Sequence, residues 1–480
     1  MIVMSDSRNS ENMSANASET NSSTMSEVSI AEASKLISIG RQEEAVEIYS
    51  RIVENPADYS AGDMNLAALN RLSLLSELNP AAAVPACDQF LSKSGNTTES
   101  KIFVLSVKAR SLGFLDELEE SVRVLNEVKG LQVSEVLSPL VRASTLLYEM
   151  EILYQFEQHD LALQTSDELL NLPDLPPDLE SNTRRIRSSI FASQGNAATG
   201  YKELEKAIKI DDLGIQERVN GYNAIAQYLA YHDKGEEAAE HLNSLIKNYD
   251  VPADNLVGIY NMLAIIASAM GDWDEELNCF SAITNLTETH PDSISEAFIN
   301  MGHVHERVME HDQVISAYTN AIEVKNLTDR AAALALIARG EYHAQSDNHA
   351  YAVVDFTKAI DLTDEQSEER SSAYLSRGRS HSELENWTDS EADFLRAKDG
   401  SEPKSYWYAE AIFSLGCLYA SQGKVEEAVN GLIERAGIIN DSVKKLTRAD
   451  LDKKDFEYIR NHELFRKLRL KLESTWMQEG

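Results

Sequence analysis

The feature that most constrains this chain is a spacing of 38 residues that recurs between residues 297 and 436. Gly302, Gly340, Gly378 and Gly416 follow one another at that spacing. An aromatic residue stands sixteen positions after each of the first three glycines, and these are Tyr318, Phe356 and Phe394. A repeat of this length, built from helix-forming residues, predicts an α-solenoid in which helix pairs stack side by side.

Composition supports an all-helical chain. Of the 480 residues, 43% are hydrophobic and 26% are charged, which is enough for a substantial core. Glycine and proline are scarce, with 21 and 10 residues, and the alternating pattern of strands is rare. No apolar run approaches the ~20 residues of a membrane span, and the start of the chain shows no signal peptide. We therefore expect a cytoplasmic protein with no membrane partner.

The same register extends upstream from Gly302. The positions reached are, in order, Ala264, Ala226, Ser188, Met150, Ala109, Arg71 and Ala33. Every step is 38 residues except the step from Met150 to Ala109, which is 41. The sequence therefore predicts about eleven helix pairs over residues 29–440, with Arg71 and Met150 as exceptions to the small-residue rule.

The first predicted pair carries a characteristic set of residues. Ala33 lies in one apolar helix, Ala45 and Tyr49 lie in the next, Gly40 separates them and Pro56 ends the pair. This arrangement resembles the tetratricopeptide repeat (TPR) family, whose unit is two helices with a small residue in the first and an Ala, an aromatic residue and an Ala in the second. The resemblance implies a right-handed α-solenoid in which the first helix of each pair lines a concave groove.

Four segments are predicted along the chain. Residues 1–28 are rich in Ser, Asn and Thr and are expected to form a disordered tail. Residues 29–172 are predicted to hold degenerate TPR-like units, residues 173–440 a regular TPR array, and residues 441–480 a basic capping helix. The Pro-rich stretch 172–180 is expected to be an inter-repeat loop whose prolines begin the next helix. A hinge between two sub-solenoids is the alternative.

The last segment differs from the rest of the chain in charge. Between residues 443 and 472 there are ten basic and five acidic residues, a net charge of +5. An apolar stripe runs through it: Phe456, Ile459, Leu464, Phe465, Leu468 and Leu472. A terminal repeat needs a cap with a polar outer face, so we predict a cap. A separate binding helix is the alternative.

The chain as a whole is strongly acidic, with a formal net charge of −35. Such a surface repels phosphate backbones and anionic lipids, so we expect no nucleic-acid partner. The charge is explained by solubility; recruitment of a basic partner is the alternative. The three cysteines, Cys87, Cys279 and Cys417, lie far apart on apolar stretches and are expected to be packed thiols and not disulfides.

No sequence motif for catalysis is present. The chain lacks a phosphate-binding Gly loop and the G-x-S-x-G, H-E-x-x-H and C-x-x-C patterns, so we predict no enzyme activity and no cofactor. Five histidines recur in the 38-residue register: His305, His343, His381, His311 and His349. A metal site would need several imidazoles to converge on one ion. We expect the histidines to pack at helix seams instead, where a pH-responsive role is a further alternative.

The resemblance to the TPR family also indicates where a ligand would bind. Its exposed groove positions correspond here to six polar residues, Asn182, Arg185, Asn220, Asn223, Gln227 and Asn261. Side-chain amides can bond the main chain of an extended peptide, and Arg185 can pair with a carboxylate. The alternative is that these are ordinary polar residues facing water. The basic clamp of chaperone-tail-binding TPR domains is not reproduced, since Ser189 and Gly258 stand at its positions.

These features predict a non-catalytic interaction scaffold or adaptor that binds a peptide or protein partner in the concave groove. A sensor or regulatory protein of a signalling or transcription system is the alternative, in which effector binding changes the shape of the solenoid.

Overall fold

The computed structural model describes residues 29–38, 41–55, 58–93, 95–132, 137–438 and 446–478. Within these ranges all regular secondary structure is helical, with no strand. The predicted all-α fold class is therefore confirmed. The predicted disordered tail, residues 1–28, lies outside the described residues.

The chain divides into two compact units, Met1–Met270 and Gly271–Gly480, which we call unit 1 and unit 2. The sequence predicts a different division, at residue 172, which separates degenerate repeats from regular ones. The bounds of the two compact units do not test that division. It stays a prediction.

Unit 1 contains a series of helices over its described residues. They are α1 (Ile30–Ser38), α2 (Gln42–Glu54), α3 (Ala61–Leu78), α4 (Pro80–Leu91), α5 (Thr98–Phe114), α6 (Leu118–Gln132), α7 (Pro139–Gln155), α8 (His159–Leu170), α9 (Pro177–Ser193), α10 (Ala197–Ala207), α11 (Ile215–Tyr231), α12 (Gly235–Asn248) and α13 (Ala253–Met270). Helices α1–α12 form consecutive antiparallel pairs. The odd-numbered helix of each pair carries the predicted register residue, from Ala33 on α1 to Ala226 on α11.

Unit 2 continues the same alternation. Its helices are α14 (Trp273–Thr284), α15 (Pro291–Arg307), α16 (His311–Glu323), α17 (Asp329–Gln345), α18 (His349–Leu362), α19 (Glu368–Glu383), α20 (Trp387–Asp399), α21 (Tyr406–Ser421), α22 (Val425–Ala436), α23 (Arg448–Leu451), the 3-10 helix η1 (Lys454–Phe456) and α24 (Glu463–Gln478). Helices α15–α22 form four pairs. The four register glycines lie on their odd-numbered helices, so the predicted TPR-like array of helix pairs is confirmed.

Local sequence signals set several helix ends. Pro177 and Pro291 occupy the first turns of α9 and α15, where a missing backbone N–H costs nothing. The Thr328 hydroxyl accepts the backbone N–H of Ala331 and caps α17. The Pro-rich stretch 172–180 therefore comprises the loop before α9 and its first turn.

The two exceptions to the small-residue rule have different surroundings. Met150 is completely buried in the core of unit 1, where its flexible thioether replaces a small residue. Arg71 donates from Nε to the Ser50 hydroxyl on α2 at 2.8 Å, so it bridges to the preceding helix pair.

The register glycines are sites of close helix contact. A Cβ atom added at Gly340 would lie 2.8 Å from Cε1 of Phe356, and one at Gly378 would lie 2.6 Å from Cε1 of Phe394. At Gly416 the nearest atom would be Leu432 Cγ, at an ordinary 3.5 Å. Gly340 and Gly378 thus allow an aromatic ring of the second helix to lie against the backbone of the first. Gly416 faces Leu432 instead, and the contact there is less close.

We expect Gly340→Ala to lower the free energy of unfolding of unit 2 by about 1–3 kcal/mol, because the added methyl group overpacks against the Phe356 ring. Gly416→Ala is the matched control. It is expected to be neutral or to stabilise by up to about 1 kcal/mol, since alanine favours a helix more than glycine does. Urea unfolding followed by tryptophan fluorescence would compare the two. Equal effects of both substitutions would contradict the contact assignment.

The C-terminal segment packs against the last helix pair. Phe456 and Phe465 stack with ring centroids 5.4 Å apart, and Phe456 lies 6.3 Å from the Phe413 ring on α21. Leu451, Ile459 and other apolar residues of the segment join the same buried cluster. These contacts bury apolar side chains of the segment against α21 and α22, and the cap stays a prediction.

One described helix, α13, is long and apolar enough to cross a membrane by length and composition alone. Asp254, Asn255 and Asn261 interrupt its apolar residues, so the sequence shows no continuous apolar run there. Its Ile259, Leu263 and Ile266 side chains are buried. Core helices of globular proteins satisfy the same criterion.

Candidate functional site

A cavity of about 1340 Å³ opens in unit 1. Its lining comes almost entirely from α1, α3, α5, α7, α9 and α11 and from the turns that precede them, that is, from the first helix of each pair. The TPR resemblance implied a groove on this set of helices. Sites that enclose a small molecule are usually about 300–1,000 Å³, so this groove has room for an extended chain segment.

The structure places the six sequence-predicted groove residues differently. Asn182, Arg185 and Asn220 line the cavity. Asn223 lies one turn after Asn220 on α11, partly buried, and is not among the lining residues. The other two, Gln227 and Asn261, also lie outside the lining, and Gln227 is exposed. The cavity thus brings together three of the six.

A continuous set of hydrogen bonds connects the predicted residues on α9 to those on α11. The Arg185 Nη2 group donates to Asn182 Oδ1 at 2.9 Å and to Glu217 Oε2 at 3.1 Å. Asn220 Nδ2 donates to the other oxygen of Glu217 at 3.3 Å. Glu217 is only 7% exposed, so its charge is stabilised by the Arg185 guanidinium.

The same set continues to α13. Gln216 Nε2 donates to Asn220 Oδ1 at 3.2 Å, and Asn255 Nδ2 donates to Gln216 Oε1 at 3.0 Å. We call the connected residues the polar ladder: Asn182, Arg185, Gln216, Glu217, Asn220 and Asn255. It places amide donors and acceptors along three successive first helices.

The ladder is not fully satisfied. Arg185 Nε, Asn255 Oδ1 and the neighbouring Asn223 Oδ1 are buried and have no hydrogen-bond partner among the described residues. An unpaired buried polar atom costs about 1–3 kcal/mol. A ligand that lets these side chains rearrange and pair would recover part of that cost.

Arg110 forms the floor of the cavity. Its Nη1 lies 3.3 Å from both Ser76 Oγ and Glu77 Oε1 on α3, and its Nε and Nη2 bond Glu151 on α7. Burial lowers the pKa of this guanidinium, but the Glu151 and Glu77 carboxylates raise it by more, so the pKa lies above its ordinary value. The group is 7% exposed and permanently charged. It holds three first helices together.

Carboxylates in the first turns of the odd helices join successive pairs. Glu99 on α5 accepts the backbone N–H of Ser138 at 2.9 Å, and Asp178 on α9 accepts that of Gly214 at 2.9 Å. Both acceptors line the cavity. In unit 2, Asp292 accepts the N–H of Thr328 at 3.0 Å in the same way. The acidic side chains thus fix the start of the following first helix.

The sequence-based prediction omitted Arg110, Glu151, Gln216 and Glu217. A signal for two of them was available. Arg110 and Glu151 each stand one residue after the register position, in the column that supplied Gln227. Gln216 and Glu217 lie in the first turn of α11, a part of the helix that the groove prediction did not include.

Two of the recurring histidines contact a tyrosine of the next helix. His311 Nδ1 lies 2.7 Å from the Tyr342 hydroxyl, and His343 lies against the Tyr351 ring with centroids 5.5 Å apart. His305 Nδ1 bonds Glu310 at 2.7 Å. Over the described part of the chain, no group of three or more His, Cys, Asp or Glu side chains is arranged to hold a metal ion.

Comparisons with known proteins give similarity to solved structures only. No family model and no curated protein matches the sequence. The apo form of the quorum sensor NprR from B. thuringiensis is 14% identical, with 72% of this chain and 100% of that chain covered and a TM-score of 0.38. Yeast Tom70 is 11% identical, with 94% and 98% covered and a TM-score of 0.39. The C-terminal part of a TPR repeat-containing protein from Cytophaga hutchinsonii is 14% identical, with 56% and 98% covered and a TM-score of 0.38. These values carry no information about function.

Proposed function

We propose that this chain is a non-catalytic interaction module that binds an extended peptide segment of a protein partner in the groove of unit 1. The observation that carries the proposal is the polar ladder along the cavity. Amide side chains bond a main chain whatever its sequence, because each offers both a donor and an acceptor. Such a site suits a scaffold or adaptor.

The dimensions of the groove support the same proposal. Its lining extends from α1 to α11, across six consecutive first helices. Apolar residues, among them Leu66, Leu69, Phe114 and Ile215, alternate with the polar ones. Main-chain hydrogen bonds of about 0.5–1.5 kcal/mol each, combined with burial of a few apolar side chains, are sufficient for specific binding.

We expect the double substitution Asn182→Ala and Asn220→Ala to weaken peptide binding by about tenfold or more, because two main-chain contacts are lost at roughly 1 kcal/mol each. Random peptides displayed on phage would be selected against the full chain. Affinities of the enriched peptides would then be measured for both forms.

The matched control is Gln227→Ala with Asn261→Ala, which removes two predicted groove amides that lie outside the cavity. This variant should keep the affinity of the unmodified chain. Failure to enrich any peptide would contradict the proposal. Equal weakening by both double variants would contradict the assignment of the site to the cavity.

A further inference from the structure

We infer that the peptide bound by unit 1 is basic. This inference rests on the proposed function and adds the charge of the ligand. Six carboxylates line the cavity and only two guanidinium groups, a net charge of −4 with no lysine. A low-dielectric groove with one dominant sign of charge attracts ligands of the opposite sign.

Both guanidinium groups already have carboxylate partners. Arg110 bonds two of the cavity carboxylates, those of Glu77 and Glu151, and Arg185 bonds that of Glu217 at 3.1 Å. An acidic or phosphorylated ligand would have to displace these internal partners. The charge of each guanidinium group is therefore already balanced by a carboxylate of the groove.

The other three carboxylates have no basic partner among the described residues. Glu99 accepts the backbone N–H of Ser138, and Asp178 accepts that of Gly214. Asp174 is exposed at the entrance of α9, in a turn with φ of 56°. An incoming lysine or arginine side chain would pair with these groups while the polar ladder bonds the main chain.

The charge can be removed without removing the hydrogen bonds. Glu99→Gln and Asp178→Asn keep a carbonyl oxygen that accepts the same N–H groups. Asp174→Asn suits the positive φ, since asparagine tolerates that region. The triple variant with these substitutions therefore changes the charge of the groove by three and leaves its structure intact.

A control triple variant carries Asp116→Asn, Glu157→Gln and Asp233→Asn. These three residues are exposed in unit 1, lie outside the cavity lining and also have positive φ, of 62°, 56° and 58°. The change in net charge is the same. A difference between the two triple variants thus reports on the groove and not on the acidic surface as a whole.

The test uses three fluorescein-labelled peptides of equal length with the same apolar residues and with lysine, glutamine or glutamate at the variable positions. Binding to the full chain is measured by fluorescence anisotropy at low and high salt. The lysine peptide is expected to bind at least about tenfold more tightly than the glutamine peptide. Its binding should weaken at high salt, because salt screens the attraction between opposite charges. The groove variant should lose about tenfold in affinity, and the control variant less than about twofold.

The outcomes separate this inference from the proposed function. Binding of the glutamine or glutamate peptide as tight as that of the lysine peptide would overturn the inference and leave the proposed function standing. Equal weakening by both triple variants would also overturn it, because the acidic surface would then be the cause. Absence of binding by all three peptides would count against the proposed function itself.

Discussion

Replacing Arg377 by Ala is expected to lower the free energy of unfolding of unit 2 by about 3–5 kcal/mol. The Arg377 guanidinium donates from Nε and Nη2 to the two oxygens of Asp393, each at 2.8 Å, and from Nη1 to Thr357 Oγ1 at 3.0 Å. Asp393 is 2% exposed. The substitution would remove both short bonds to a buried carboxylate and leave it only the longer contact with Arg396 Nη1, at 3.4 Å, from a side chain that is 59% exposed.

The same arrangement occurs one repeat earlier. Arg339 donates to both oxygens of Asp355 at 2.8 Å and to Thr319 Oγ1 at 3.1 Å. All three residues precede their counterparts by 38 positions. Arg339→Ala should therefore destabilise unit 2 at least as much, because among the described residues the buried Asp355 has no second basic partner like the Arg396 that contacts Asp393.

Tryptophan fluorescence can follow this unfolding selectively, because all four tryptophans, at positions 273, 387, 407 and 476, lie in unit 2. The free energy would be obtained from urea titrations of the full chain. Arg330→Ala is the control, since the Arg330 side chain is 76% exposed where it pairs with Glu369, and an exposed ion pair contributes little to stability. An effect of Arg377→Ala as small as that of the control would contradict the prediction.

Replacing Arg110 by Ala is expected to destabilise unit 1 by a similar amount, about 3–5 kcal/mol. The Glu151 side chain is 13% exposed and would lose its cation. The guanidinium also lies 5.1 Å from the centroids of both the Phe114 and Tyr148 rings, so packing against two aromatic faces would be lost. Because Arg110 joins α3, α5 and α7, peptide binding in the groove should weaken as well.

Hydrogen exchange measures this effect, since unit 1 has no tryptophan. Backbone amides of α5 and α7 should exchange faster in the Arg110→Ala variant. Arg123→Ala is the control, because the Arg123 side chain is 76% exposed and pairs with Glu120 on the same helix. Unchanged protection of α5 and α7 would show that the buried ion pair does not hold the floor of the groove.

Much of the fold was predictable because each helix pair meets the same physical requirement. A small residue must stand where the two helices cross, and a large one must lie against it. Repetition at 38 residues made that requirement visible at Gly340 with Phe356 and at Gly378 with Phe394. The 38-residue register predicted the helix pair around Met150 as well, although a large buried side chain occupies the position that a small residue usually holds.

The site was less predictable, because a residue lines the cavity only if it lies on a helical turn that faces the cavity. Asn182 and Asn220 stand at the same register position on neighbouring first helices, and both line the cavity. Gln227 was chosen by the same logic but lies two turns further along α11. The internal pairing of Arg110 with Glu77 and Glu151 depends on three helices coming together, which spacing within one repeat does not reveal.

The most direct test of the central claim is to locate the bound peptide. An enriched peptide carrying a benzophenone group would be photocrosslinked to the full chain, and the attachment sites would be mapped by mass spectrometry. We predict crosslinks on α9 and α11, near Asn182, Gln216 and Asn220. Crosslinks confined to even-numbered helices or to unit 2 would contradict the claim that the groove of unit 1 is the binding site.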